Sequence, residues 1–348
     1  MQQPFFLPDT LRAIHMLSLC PVYKPTPMHA IQADNCTKIL FKDETIRMGL
    51  GSFKALGGVY AVARLIQEAW ERENDNVLDP KCMLDSFVRE FASRMTFVCA
   101  SAGNHGLAVA VGASIFGANA RIHLAKNVPE SFADRLRQKG AETFRSGDVY
   151  EDSMDAAITD SENSDAILLA DGSWPGYVHP PALVMEGYTV LAEEIRSEFE
   201  QSGEWPTHIF LQAGVGGMAG AIAHMVRRNW QGNPKIIVVE PDAAPCLAAS
   251  HAAGECVTVE GPVSNMGRLD CKQPSLIAFA ALEQADVSYV TISDTHAQAA
   301  NVRLNELGLH TTPSGAAGYA ALQRQELPKN AIPLVVITER SLATESLI

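Results

Sequence analysis

The sequence predicts an α/β protein of two lobes, each a mostly parallel sheet flanked by helices, with a cleft between them. Three observations carry this. Short apolar runs alternate with longer amphipathic segments along most of the chain, the pattern of successive βα units. Two glycine-bearing loops, "SAGNHG" and "GVGGMAG", each join a predicted strand to a predicted helix. The length of 348 residues, with 47% hydrophobic and 19% charged residues, suits two globular domains or one large α/β unit.

The first series of elements runs from Met95 to Asp171. "MTFVCA" is a strand, "NHGLAVAVGASIFG" a helix closed by Gly117, and "ARIHLA" the next strand. "PESFADRLRQKG" has proline at its start and glycine at its end, the asymmetry of a capped helix. "AETFRS", the acidic helix through "VYEDSMDAAITD" and the strand "AILLA" follow. A second series begins near Pro181 with the long helix "ALVMEGYTVLAEEIRSEFEQSG", strand "HIFLQA", a glycine loop, helix "AIAHMVRRNWQG" and strand "KIIVVE". "VSYVTIS", a helix over Ala297 to Leu307, a helix after "TTPSGAAG" and the strand "AIPLVVIT" close the chain.

The net charge of −13 excludes a phosphate-binding basic face, and with it nucleic acid and anionic membrane as partners. No apolar run approaches the ~20 residues that span a bilayer, and "MQQPFFLPDT" lacks the pattern of a secretion signal. Seven scattered cysteines without a CxxC pair predict reduced thiols in the cytoplasm and no zinc site.

Three loops carry candidate chemistry. In "LQAGVGGMAGAIA" successive glycines let backbone N–H groups converge on an anion at a helix N-terminus, which suits a phosphate. The spacing Gly214, Gly216, Ala219 with Glu240 at the end of the next strand also fits a dinucleotide-binding turn. That keeps an NAD-dependent oxidoreductase open. In "ASAGNHG", Ser101, Asn104 and His105 suit a carboxylate or a phenolic oxygen; a simple helix cap is the plainer alternative. In "GLGSFKALGG", Lys54 lies among apolar neighbours at a helix start. Both surroundings disfavour an ammonium and predict a lowered pKa, hence an amine able to attack an aldehyde. A lysine whose stem lies along the helix edge is the alternative.

Taken in order, the lysine, the asparagine loop and the phosphate turn resemble the fold type II (tryptophan synthase β-like) pyridoxal phosphate enzymes. "FKDETIRMGLGSFKALGG", "SAGNHG", "DGSWPGYVHPPALVMEGYTVLAEEI", "QAGVGGMAG", "VVEPDAAPC" and "PSGAAG" carry the likeness. "WPGY" through "MEGY" is most similar to the diaminopropionate ammonia-lyases, and threonine/serine dehydratases share the skeleton.

The resemblance implies a discontinuous large cofactor domain, 1–66 and 187–348, around a small domain, 67–186, with the active site in the cleft. It implies that Lys54 joins the cofactor aldehyde and takes the substrate α-proton, with Phe53 beside the pyridine ring. Asn104 would bond the phenolic oxygen, and Ser101, Asn104 and His105 would line the substrate subsite. Gly214, Val215, Gly216, Gly217 and Met218 would hold the phosphate, and Thr338 would face the pyridine nitrogen. A neutral hydroxyl there favours elimination over transamination. Asp171 matches a carboxylate that handles the substrate's β-amino group, although a turn aspartate before glycine is common.

The implied reaction is α,β-elimination from a small L-amino acid, with L-2,3-diaminopropionate first and serine, threonine or hydroxyaspartate next. A homodimer is the implied assembly, and no metal ligand set can be read. Two departures stand out. Ala102 replaces an aspartate that the ammonia-lyases use for the D-isomer. Arg340 follows Glu339 where the family continues with glycine, which points to a bulkier or more acidic substrate. A fold that has lost its chemistry is the non-catalytic alternative.

Overall fold

The computed structural model describes residues 6–33 and 36–341, so the outermost ends of the expected large lobe, 1–5 and 342–348, lie outside the described residues. In chain order it contains α1 (Thr10–Ser18), β1 (Met28–Ala33), β2 (Cys36–Asp43), a 3-10 turn (Glu44–Gly49), α2 (Lys54–Asn74), α3 (Ser86–Ala92) and β3 (Thr96–Ala100). Then come α4 (Asn104–Phe116), β4 (Asn119–Leu124), α5 (Glu130–Arg137), β5 (Glu142–Arg145), α6 (Tyr150–Glu162), β6 (Ile167–Leu168) and α7 (His179–Ser202). The remainder is β7 (His208–Gln212), α8 (Gly217–Asn229), β8 (Lys235–Pro241), α9 (Cys246–Ala253), α10 (Leu276–Gln284), β9 (Ser288–Ile292), α11 (Asp294–Glu306), α12 (Pro313–Leu322) and β10 (Pro333–Ile337).

Two sheets result. One has the order β1-β2-β10-β7-β8-β9, and the other β5-β4-β3-β6. All pairings are parallel except that of β1 with β2. The central strands β7 and β10 are buried at every position, as strands covered by helices on both faces must be. The first strands belong to the sheet that closes the chain: Leu40 to Asp43 pair with Leu334 to Ile337. The small sheet is an insertion between them. Among the described residues no helix is long and apolar enough to cross a membrane.

Helix α2 is the wall shared by both sheets, and its glycines explain how. A Cβ on Gly57 would come within 2.6 Å of the Val184 carbonyl of α7, and one on Gly58 within 2.5 Å of the Ala108 methyl of α4. Only glycine admits neighbours this close. The glycine content that looked foreign to a helix interior is therefore packing. Helix ends are marked as expected: Gly117 and Gly203 both adopt the left-handed conformation (φ 83° and 71°) that closes α4 and α7.

Two expectations shift. "AILLA" pairs only at Ile167 and Leu168. Beyond them the Tyr177 hydroxyl donates to the Leu168 carbonyl (2.8 Å) and accepts from the Ala170 N–H (3.0 Å), so a side chain replaces the ladder. "PSGAAG" does not precede a helix but starts one: Thr312 caps α12 by accepting from the Gly315 N–H at 3.1 Å.

Candidate active site

Each candidate segment sits past the carboxyl end of a parallel strand, where open α/β sheets bind ligands. β2 leads through a kinked turn to Lys54, β3 to the asparagine loop, β6 to Asp171, β7 to the glycine turn and β10 to Thr338.

The approach to Lys54 is built by charge. Arg47 is fully buried and binds Glu44 through Nε (2.7 Å) and Glu194 of α7 through both terminal nitrogens (2.7 Å each). Lys42 Nζ joins Glu194 at 3.0 Å and the Thr26 carbonyl at 2.7 Å. This cluster clamps a turn in which Met48 (φ 49°), Gly49 (φ 70°) and Gly51 (φ 76°) all take the left-handed conformation. The turn is then stitched to the last strand: the Phe53 N–H donates to the Thr338 carbonyl (3.2 Å) and the Arg340 N–H to the Gly51 carbonyl (2.8 Å). Just before α2, Ser52 Oγ accepts from the Lys54 N–H at 3.3 Å, the first of the helix.

From there the Lys54 ammonium meets the Asp171 carboxylate in a hydrogen-bonded ion pair, both side chains four-fifths buried. Burial pushes the lysine down, but the Asp171 charge and hydrogen bond outweigh it and the net direction is up. This corrects the expected lowered pKa: the deciding partner lies on another lobe. Asp171 moves the other way, well below the usual carboxylate range; burial opposes that shift, and Lys54 and His105 prevail. Phe53 packs edge-on against Tyr188 with ring centroids 4.9 Å apart, and Lys54 Nζ lies 5.9 Å from the Phe53 ring. The Tyr188 hydroxyl is buried and has no hydrogen-bond partner.

In the asparagine loop, Ser101 Oγ accepts from the Gly103 N–H at 3.3 Å. Asn104 Nδ2 donates to Glu339 Oε2, whose other oxygen accepts from Thr312 Oγ1 at 2.6 Å. The His105 ring turns inward, with Nε2 2.8 Å from the Leu169 carbonyl, and burial lowers its pKa. It braces the backbone two residues before Asp171 rather than opening onto the loop.

The glycine turn is tightly built. Gly216 has φ 97°. A Cβ on Gly214 would lie 2.8 Å from Cys271 Sγ and 3.1 Å from the Arg268 carbonyl. Burial, then the Asp171 charge, pushes the Cys271 thiol up to about 12, so it stands there neutral. The helix α8 begins at Gly217, inside the motif, so the N–H groups that an α-helix leaves without partners are those of Gly217, Met218 and Ala219, next to the cap Gly216. Thr338 is buried, and its hydroxyl lies 3.4 Å from Gln212 Nε2.

Glu240 settles the dinucleotide alternative. It is fully buried and accepts from the Leu247 and Ala248 N–H groups (2.7 and 2.8 Å), holding the start of α9. Enclosed against α9, its carboxylate is out of reach of a ribose, so residues 214–220 lack the acid that an NAD site would need. Burial pushes its pKa up to about 7 against those two hydrogen bonds. A raised folded-state pKa stabilises the native state below the unfolded value near 4.5 and is lost as pH rises through 7. Glu240→Gln should accordingly reduce the fall in unfolding free energy between pH 5 and pH 8, by up to about 3 kcal/mol, as read from urea titrations at both pH values.

The cleft thus offers an amine, an amide donor, an N–H cradle at a glycine helix start, a neutral hydroxyl and an orphaned buried phenol. This donor set fits an aldehyde-bearing aromatic phosphate. Comparison with known proteins agrees. The family "Pyridoxal-phosphate dependent enzyme" matches residues 19–339. Diaminopropionate ammonia-lyase of Escherichia coli (strain K12) is 32% identical over 342 residues, covering 91% of this chain and 84% of that protein. The Salmonella typhimurium (strain LT2) enzyme of the same name is 32% identical over 284 residues, covering 79% and 70%. The crystal structure of the Escherichia coli enzyme in complex with an aminoacrylate-PLP azomethine reaction intermediate superposes with a TM-score of 0.84 at 29% identity, covering 99% of this chain and 92% of that one.

Proposed function

The chain belongs to the pyridoxal-phosphate dependent enzymes, and from that premise we propose that it is an ammonia-lyase converting L-2,3-diaminopropionate and water to pyruvate and two molecules of ammonia. The observation that carries the reading is the Lys54–Asp171 pair, an amine and a carboxylate joined at the strand ends of both sheets.

Pyridoxal phosphate, when bound, supplies an aldehyde that joins amines and a ring that draws electron density from the adjoining carbon. The N–H groups of Gly214 to Met218 would hold its phosphate. Asn104 Nδ2 carries two hydrogens and gives one to Glu339, leaving the second for the phenolic oxygen. The Thr338 hydroxyl would offer the ring nitrogen a partner without adding charge. Ser101 and the loop N–H groups take the substrate carboxylate.

Lys54 Nζ acts as nucleophile and base only when neutral; the Asp171 carboxylate, held well below its usual range, stays ionised, so the lysine proton passes to solvent when the amine reacts. The amine then removes the proton from the substrate Cα. Asp171, released from the lysine, holds the β-ammonium so that the Cβ–N bond breaks with nitrogen leaving as ammonia. Ala102 offers no carboxylate for the opposite face, which supports the L-isomer over the D-isomer. A cytoplasmic homodimer is proposed with this activity, on the general prevalence of symmetric dimers.

The test is pyruvate release from L-2,3-diaminopropionate by purified, cofactor-loaded protein. Release from L-serine or L-threonine but not from the diamine would move the assignment to a dehydratase. Asp171→Asn should lower turnover by about 10²–10³ while leaving the bound cofactor's visible absorbance in place. Unchanged turnover would remove Asp171 from the mechanism.

A further inference from the structure

Arg268 stands in the cleft with much of its hydrogen-bonding capacity unused. Its backbone lies under the glycine turn, the carbonyl 3.1 Å from where a Gly214 Cβ would be. Its side chain reaches to the asparagine loop, where a Cβ on Gly103 would lie 3.5 Å from Nε and 3.8 Å from Cζ. Nε is buried without a hydrogen-bond partner. Among the described residues its one carboxylate contact is Glu339 Oε2 at 3.5 Å, and that oxygen already accepts from Asn104. The side chain as a whole remains one-third exposed.

Arg268 is the counter-ion of buried Glu339, and what it leaves unused is hydrogen-bonding capacity. Lys54 and Asp171 neutralise each other, and Glu339 is satisfied by Asn104 and Thr312. The α-carboxylate of an amino acid has its own seat in the asparagine loop, and the cofactor phosphate has the glycine turn. A planar guanidinium fork matches a carboxylate in two parallel hydrogen bonds, so a substrate carrying a second carboxylate would use the donors that a monocarboxylic one leaves idle.

Resting on the elimination chemistry proposed above, we infer that Arg268 determines specificity by binding a distal carboxylate, and that the preferred substrates are β-substituted dicarboxylic amino acids. The reaction keeps its balance. 2,3-Diaminosuccinate loses its Cα proton to Lys54 and its β-nitrogen as ammonia, and hydrolysis with one water releases oxaloacetate and the second ammonia. With 3-hydroxyaspartate, water leaves in place of the β-amine.

Two measurements on the cofactor-loaded protein test this. Calorimetric titration with L-aspartate and L-alanine, neither of which has a β-leaving group, should give at least tenfold tighter binding of the dicarboxylate. Arg268→Gln should abolish that preference, and Arg268→Lys should restore only part of it. In turnover, the ratio of kcat/KM for 2,3-diaminosuccinate to that for L-2,3-diaminopropionate should exceed one and fall at least tenfold in Arg268→Gln, through KM. Equal binding of aspartate and alanine, or a preference that survives Arg268→Gln, overturns the inference. Turnover of the diamine with no gain from the second carboxylate overturns it while leaving the lyase reading intact. Tight aspartate binding without β-elimination of any compound sinks the lyase reading instead.

Discussion

Lys54→Ala should cost at least about a thousandfold in turnover, because in the proposed reaction one side chain supplies both the nucleophile and the base. The loss should be accompanied by a spectroscopic change. Borohydride treatment of the wild-type holoenzyme should leave a pyridoxyl group on the peptide containing Lys54, and the variant should carry none. The substitution also strands the Asp171 carboxylate in a site where only one-fifth of it meets water, so instability could mimic lost catalysis. Lys54→Arg separates the two. It retains a cation for Asp171 yet cannot form the covalent bond, so it should fold like the wild type and remain as inactive as the alanine variant. A pyridoxyl group on any other lysine would refute the assignment.

The second large effect is on stability. Arg47 has no solvent exposure and satisfies Glu44 and Glu194 at once. Removing one partner of a buried ion pair leaves an uncompensated charge and typically costs about 3–5 kcal/mol. Arg47→Met should lower the unfolding free energy by that amount in urea titration. Adding Glu44→Gln should recover part of it, because the stranded carboxylate is then gone. Since the cluster clamps the turn that leads to Lys54, cofactor affinity should fall in the same variant. Wild-type stability in the Arg47→Met protein would show the cluster to be indifferent packing.

Much of this was legible along the chain and some was not. The units from β3 to α6 could be read because each ends on a residue with one conformational use, such as the left-handed Gly117. The hairpin β1–β2 was not read as strands. Lys42 interrupts its apolar pattern, yet that lysine is fully buried and neutralised by Glu194, a residue of α7. The glycines of "GVGGMAG" and "PSGAAG" look like loops because glycine weakens an isolated helix. Here they admit neighbouring backbone instead: a Cβ on Gly220 would lie 3.1 Å from the Ala278 carbonyl.

The site was legible as an ordered set of motifs, but the interactions that tune it were not. Local neighbours predict a depressed lysine, and Asp171, distant in sequence, reverses the sign. His105 has the look of a ligand-facing residue, and only the fold reveals its bond to Leu169. Arg268 belongs to no motif. Its signal would have been a lone cation between "SNMG" and "LDC", which spacing cannot distinguish from a surface arginine.

The order in which the sheet is sewn has a consequence for biosynthesis. The backbone that presents Lys54 is fastened to residues 338–340, so a nascent chain on the ribosome cannot lock its reactive amine until nearly the whole polypeptide has emerged. The inserted sheet, closed by nearer partners, is free to form earlier. Premature termination before Pro333 should therefore yield a product with an intact inserted lobe and no grip on the vitamin.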